Sequence, residues 1–137
     1  MQNQKDYDIQ LIEEFRENTR KSGDLFAGRP LLLLTTTGAK SGQARTKPMM
    51  YIPDGNRLLV IASNIGAPTH PAWYRNLAAH PEVTVELVSE TYRANAITLT
   101  GSEREQTWAR IVELYPFFAE HQAKTSRQIP VVALERQ

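Results

Sequence analysis

Three stretches of the chain carry residue types that could do chemistry. The first is Gly38-Ala39-Lys40-Ser41-Gly42, two glycines four apart with Lys40 between them and Arg45 and Lys47 just beyond. Glycines let a backbone turn several N–H groups toward one ligand, and the cations add charge, so the stretch suits an anion. The same composition also suits a hairpin turn kept soluble by lysine and arginine. The second is the run of small and turn-forming residues Ser63-Asn64-Ile65-Gly66-Ala67-Pro68-Thr69, which leads into a segment bearing Trp73, Tyr74 and Leu77. An indole just after a glycine-containing loop is a candidate wall for an aromatic ligand. The third is an aromatic cluster near the end, Tyr115, Phe117, Phe118 and His121.

Spacing excludes the common phosphate-binding loops. A Walker loop needs four residues between its glycines and then Lys-Ser/Thr opening a helix, and a dinucleotide fingerprint also opens a helix. Here Arg45-Thr46-Lys47-Pro48-Met49-Met50-Tyr51-Ile52 follows, which is a strand pattern with a proline in it. Any anion is therefore held by a loop between two strands. Cysteine is absent and the three histidines, His70, His80 and His121, are scattered, so no metal site is expected. No Gly-x-Ser-x-Gly elbow is present. An anion cradle and an aromatic wall without acid/base machinery fit a protein whose cofactor carries the chemistry.

Composition is that of one ordinary domain: 137 residues, 41% hydrophobic, 23% charged, net charge +1. No global field drives such a chain onto nucleic acid, and no apolar run approaches the ~20 residues of a membrane span. The N-terminus shows no signal-peptide core, and the lack of cysteine fits a reducing cytoplasm.

The elements that must position these residues follow from periodicity. Residues 6–21 read as an amphipathic helix, with Ile9, Leu11, Ile12 and Phe15 among acidic and basic neighbours. It is expected to cover an open end of the core rather than to lie on a membrane. Gly23, Gly28 and Pro30 end the pattern, so 1–28 is a helix with its linker and 29–137 the main body. Leu31-Leu32-Leu33-Leu34 reads as a strand buried on both faces. Pro48 marks an edge or a bulge. Pro53-Asp54-Gly55-Asn56 predicts a hairpin between Met49–Ile52 and Arg57–Ser63. A short helix over Pro71–Ala79 has Thr69 as its expected N-cap, and Val83–Leu87 and Tyr92–Ala96 alternate as two antiparallel strands. Ser102 and Glu105 have capping-box spacing for a helix that Pro116 ends, and Ile129–Leu134 closes the chain as a strand. About six strands with peripheral helices and no βαβ rhythm predict an α+β domain on a small antiparallel barrel.

In order along the chain, Thr35–Arg45, Ala62–Gly66, Pro71–Leu77, Leu114-Tyr115-Pro116 and Ile129–Val132 resemble the deazaflavin-dependent nitroreductase family, over about Arg29 to Leu134. The resemblance implies a split β-barrel of the FMN-binding, flavin-reductase-like kind and the deazaflavin coenzyme F420. It also implies hydride transfer to a quinone or another conjugated or nitro acceptor. By position it assigns Ala39, Lys40, Ser41 and Arg45 to the coenzyme's phosphate and oligoglutamate tail. Thr46, Lys47, Pro48, Met49 and Met50, with Ile61, Ala62, Ser63 and Asn64, are assigned to lining the deazaflavin ring. Ala72, Trp73, Tyr74, Arg75 and Asn76 are assigned to covering it. Tyr115 falls on the substrate side, with Phe118 and His121 where the family's nitroimidazole-active member has tyrosines. Ser63 and Tyr115 are the candidate hydrogen-bond donors to the acceptor as negative charge develops. FMN in the same fold, or a fatty acid carried in the barrel mouth, are the alternative ligands. A monomer or homodimer is expected, cytoplasmic, with at most weak contact at the inner face of the membrane.

Overall fold

A computed structural model describes residues 4–18 and 30–137. In chain order the elements are α1 (Gln4–Asn18), β1 (Leu31–Thr37), β2 (Ala44–Met50), β3 (Ile52–Asp54), β4 (Arg57–Ile61), α2 (Ala72–Ala79), β5 (Glu82–Glu86), β6 (Thr91–Thr98), α3 (Gly101–Leu114), α4 (Phe117–Ala123) and β7 (Val131–Arg136). Positions 19–21 of the predicted first helix, the breakers Gly23 and Gly28, and the boundary at 28/29 lie outside the described residues.

All strand pairings are antiparallel, in the order β2-β1-β5-β6-β7-β4-β3. The two outermost strands, β2 and β3, are successive in the chain and separated only by Tyr51. One residue can join the two edges of a seven-stranded sheet only if the sheet curls until the edges meet. The ring is closed by the covalent chain and not by a hydrogen-bonded ladder, which makes it a split barrel. This is also where the expected strand count needs correction. Met49–Ile52 is not one strand paired in a hairpin with β4. The chain leaves β2 at Met50, turns at buried Tyr51, and only Ile52–Asp54 pairs with β4.

Side-chain alternation sorts the strand residues between the barrel interior and two outer layers. Leu32 and Leu34 point inward, where they meet Val60, Val85, Val132 and Leu134, all at 0% exposure, beneath Leu77 of α2. The interior is thus filled with side chains. Leu33 points outward, and Phe15 of α1 and Val88 bury it. Each such leucine side chain contributes about 1.5–3 kcal/mol by leaving water. The helix therefore covers the outer face of β1, not an open end, and Ile9 of its predicted apolar stripe stays exposed. Arg16 with Glu86, at 3.2 Å, and Lys47 with Asp8, at 2.5 Å, add ion pairs between α1 and the sheet. On the far side α3 and α4 bury Leu59, Val131 and Ala133 with Ile111 and Phe118. Asp54 ties the β3–β4 hairpin to α3. Burial alone would raise its carboxyl, but hydrogen bonds from Arg57 and Arg110 outweigh that and hold it below the usual range.

Three further expectations shift. Pro48 sits on edge strand β2 in unbroken register opposite Leu33, so it marks an edge and no bulge. The N-cap of α2 is Pro71, in extended conformation, whose carbonyl takes the N–H of Tyr74 and Arg75. Thr69 cannot cap because it belongs to the preceding loop, where its carbonyl accepts from Asn64 Nδ2 at 3.0 Å. At α3 the cap is Thr100, and Gly101, at φ +60°, swings the chain into the helix two residues early. Ser102 is then inside the first turn, and Glu105 pairs with Arg104 instead of completing a capping box. The closing strand begins at Val131, because Pro130 and Ile129 spend their carbonyls on Ala62 N–H and Arg104.

Candidate active site

A groove of about 1040 Å³ runs between the β1–β2 loop, the start of β2, the loop of residues 62–70 and the N-terminal half of α2. Its size is at the upper end of the ~300–1,000 Å³ usual for small-molecule sites.

At one end the β1–β2 loop closes on itself. Gly38 N–H donates to the Gln43 carbonyl at 2.8 Å and Gly42 N–H to the Gly38 carbonyl at 2.9 Å. Gly42, at φ +70°, lies in the left-handed region that favours glycine, and a Cβ on Gly38 would displace the Ser41 hydroxyl from 2.5 Å away. Asn76 of α2 fastens this loop to the body: its Oδ1 accepts from Ala39 N–H at 3.0 Å and its Nδ2 donates to Thr36 Oγ1 at 3.2 Å. The N–H groups of Lys40 and Ser41 have no partner among the described residues. Lys40, Arg45, Lys47 and Arg75 line the groove, and among the described residues no carboxylate does. Lys47 is engaged by Asp8, whereas Lys40, Arg45 and Arg75 make no ion pair with a described residue. Cations and N–H groups that no described residue engages have the chemistry to hold an anion.

The other end is built from strained backbone. Asn64 and Ile65 hold φ of +48° and +56°, and Ile65 is β-branched and 72% exposed, so no packing explains its conformation. Gly66, at φ +80°, sits so close to α4 that a Cβ would lie 2.7 Å from the His121 carbonyl. Ser63, 8% exposed, faces the groove from this loop, and its Oγ lies 3.2 Å from His121 Nδ1. Burial, and then Lys124, hold the His121 imidazole below its ordinary pKa, with Glu120 opposing them. Arg127 reaches the same loop from the connection between α4 and β7. It donates to His70 Nδ1 at 3.0 Å, which makes that nitrogen an unprotonated acceptor. Burial, then Arg127 and Arg75, lower the His70 pKa accordingly.

Of the positions named from the sequence, the groove brings together Ala39, Lys40, Ser41, Arg45, Thr46 and Lys47 with Ser63 and Asn64, and Ala72, Trp73, Arg75 and Asn76 on α2. Pro48, Met49, Met50, Ile61, Ala62 and Tyr74 stand off it. Met49 and Tyr74 pack on the barrel interior, Tyr74 also holding Thr98 Oγ1 at 3.2 Å, and Met50 and Ile61 pack on the outer layer under α3. Ala62 is fully buried. Tyr115, Phe118 and His121 do not line the groove either. They form one aromatic cluster, Tyr115 and Phe118 edge to face at 6.5 Å, that adjoins the groove through the His121–Ser63 contact. Thr36, His70 and Pro71 also line the groove, as do Gly38, Ile65 and Thr69, which stood in the stretches named from the sequence without a ligand role of their own. The glycine and proline punctuation around them was the available signal. Nothing in the sequence joins His70 to Arg127, 57 residues apart.

An antiparallel split barrel bearing a cation-lined groove with an indole wall defines the class, a barrel whose groove suits a ligand planar at one end and anionic at the other. The particular family follows from comparison. Residues 10–136 match the family model described as F420H(2)-dependent quinone reductase, and the chain belongs to that family. It is 37% identical over 112 residues to an F420H(2)-dependent quinone reductase of Mycobacterium tuberculosis (strain ATCC 25618 / H37Rv), covering 78% of this chain and 74% of that protein. Among solved structures it is similar to an F420-H2 dependent reductase, with 44% identity and TM-score 0.70 over 78% of this chain and 95% of that one. It is also similar to a protein described as a domain-swapped dimer, with 41% identity and TM-score 0.73 over 93% of each chain. The chain is an oxidoreductase whose cofactor is F420. The residues present fit that group, since unpaired cations and N–H groups lie at one end of the groove and Trp73 near the other.

Proposed function

We propose that the groove seats coenzyme F420 with its phosphate and oligoglutamate tail on the β1–β2 loop and its ring beside the 62–70 loop and Trp73, and that a quinone stacks against the ring. When bound, the reduced coenzyme supplies a hydride. The chain's own residues supply alignment, exclusion of water and one polar contact. Lys40, Arg45 and the N–H groups of Lys40 and Ser41 hold anionic oxygens, and Asn76 keeps their loop registered against α2. The Ser63 hydroxyl donates to the acceptor's oxygen as it gains negative charge, with His121 Nδ1 behind it. Tyr115 and Phe118 border the acceptor's side.

The observation that carries this reading is the charge distribution of the groove, four lining cations and no lining carboxylate among the described residues. Several cations along one wall suit a multiply charged tail better than the single phosphate of FMN. The test is anaerobic incubation of reduced F420 with a water-soluble quinone. The protein is expected to accelerate both coenzyme reoxidation and quinone loss. Binding of the coenzyme with no reoxidation above the uncatalysed rate would overturn the quinone as acceptor. A homodimer is the proposed assembly, following the domain-swapped relative, and light scattering of a monomer at micromolar concentration would contradict it.

A further inference from the structure

We propose that Arg127, which does not line the groove, is its principal positioning residue: it clamps the strained 62–67 backbone from behind and so fixes the Ser63 hydroxyl. Its guanidinium donates from Nη2 to the Ser63 carbonyl at 2.8 Å, from Nη1 to the Ala62 carbonyl at 3.3 Å and from Nε to the Ala67 carbonyl at 3.0 Å. Nη1 also reaches His70 Nδ1 at 3.0 Å. One planar fork therefore gathers both ends of the turn that contains Asn64 and Ile65 in the left-handed region. Such backbone persists only where its surroundings over-determine it, and within the loop three bonds contribute, Gly66 N–H to the Ser63 carbonyl, Ala67 N–H to the Asn64 carbonyl and Asn64 Nδ2 to the Thr69 carbonyl.

The clamp is itself anchored. Gln122 on α4 donates from Nε2 to the Arg127 carbonyl at 2.7 Å, while its Oε1 accepts from Ile129 N–H at 2.9 Å. Arg127 is thus fixed at the mouth of β7, and the loop takes its position from the sheet. A lysine at 127 offers one ammonium to acceptors on opposite sides of the turn and cannot serve them all.

The inference rests on the reading that Ser63 faces the reacting rings, and its test separates the two. In the free protein, hydrogen exchange at the Gly66 and Ala67 amides should quicken by about tenfold or more in Arg127→Lys, with the remaining amides unchanged. With coenzyme and quinone, kcat should fall by about tenfold or more while the coenzyme Kd stays within about threefold. Arg127→Met should lose more of both quantities, and if it does not fold, Arg127→Lys decides. Unchanged exchange, unchanged kcat, or parallel loss of kcat, coenzyme affinity and Tm would each overturn the assignment. A wild-type protein that turns over no quinone would overturn the quinone reading, and the exchange measurement would still decide the clamp.

Discussion

The two ends of the groove are built in opposite ways. The β1–β2 loop is held by its own backbone bonds and by Asn76, and it leaves two N–H groups and the side chains of Lys40 and Arg45 uncommitted among the described residues. The 62–70 loop leaves little uncommitted. Its carbonyls are taken by Arg127, its glycine is wedged against α4, and the β-branched Ile65 sits in the left-handed region. An exposed, cationic, self-closed turn can adapt to a flexible anionic tail. A strained turn clamped from elsewhere in the fold holds an angle, which is what ring-to-ring transfer requires.

Breaking the rigid end should produce the largest effect. Gly66→Ala combines a left-handed φ with a Cβ 2.7 Å from the His121 carbonyl, so it should cost roughly 2–4 kcal/mol in urea unfolding. A loss below about 0.5 kcal/mol would mean that the turn is not wedged. Next is the adaptable end. Lys40→Ala with Arg45→Ala should weaken long-tailed F420 by about ten- to a hundredfold, with a tail-less analogue changed by less than about threefold. Equal weakening of both would make the loop merely structural. The smallest effect is that of pH on the clamp. In the unfolded chain His70 takes up its proton near pH 6.5, and in the fold it does so lower, because of burial and then Arg127 and Arg75. The unfolded state therefore binds more protons in that window. His70's contribution is fully present above about pH 6.5 and is lost as pH falls through its folded pKa, within about 1 kcal/mol. His121 shifts in the same direction, so the comparison is between urea midpoints of wild type and His70→Gln at pH 8 and pH 5. A wild-type midpoint no more acid-sensitive than the variant's would contradict the contact.

What could be read in advance divides along the same line. The four leucines of β1 announced a strand buried on both faces, and Gly38 and Gly42 with their cations announced a cationic loop at one end of the groove, because local composition carries both. The wedge at Gly66, the clamp by Arg127 and the turn at Tyr51 that splits the barrel depend on contacts between residues distant in sequence, which no spacing rule reports. Thr69 was misread as a cap for a local reason: Pro71, two residues on, caps the helix, and Thr69 stays in the loop with its carbonyl on Asn64 Nδ2.

The central claim is that the groove is an F420 site read through its tail. The most direct measurement is fluorescence titration of the wild-type protein with F420, with F420 lacking its oligoglutamate tail, and with FMN, each at low and high salt. The account predicts saturable binding of F420 at micromolar protein, binding about tenfold or more weaker without the tail, still weaker binding of FMN, and a preference for the tail that shrinks as salt screens Lys40 and Arg45. FMN binding as tightly as F420, or a tail that makes no difference at low salt, would contradict it.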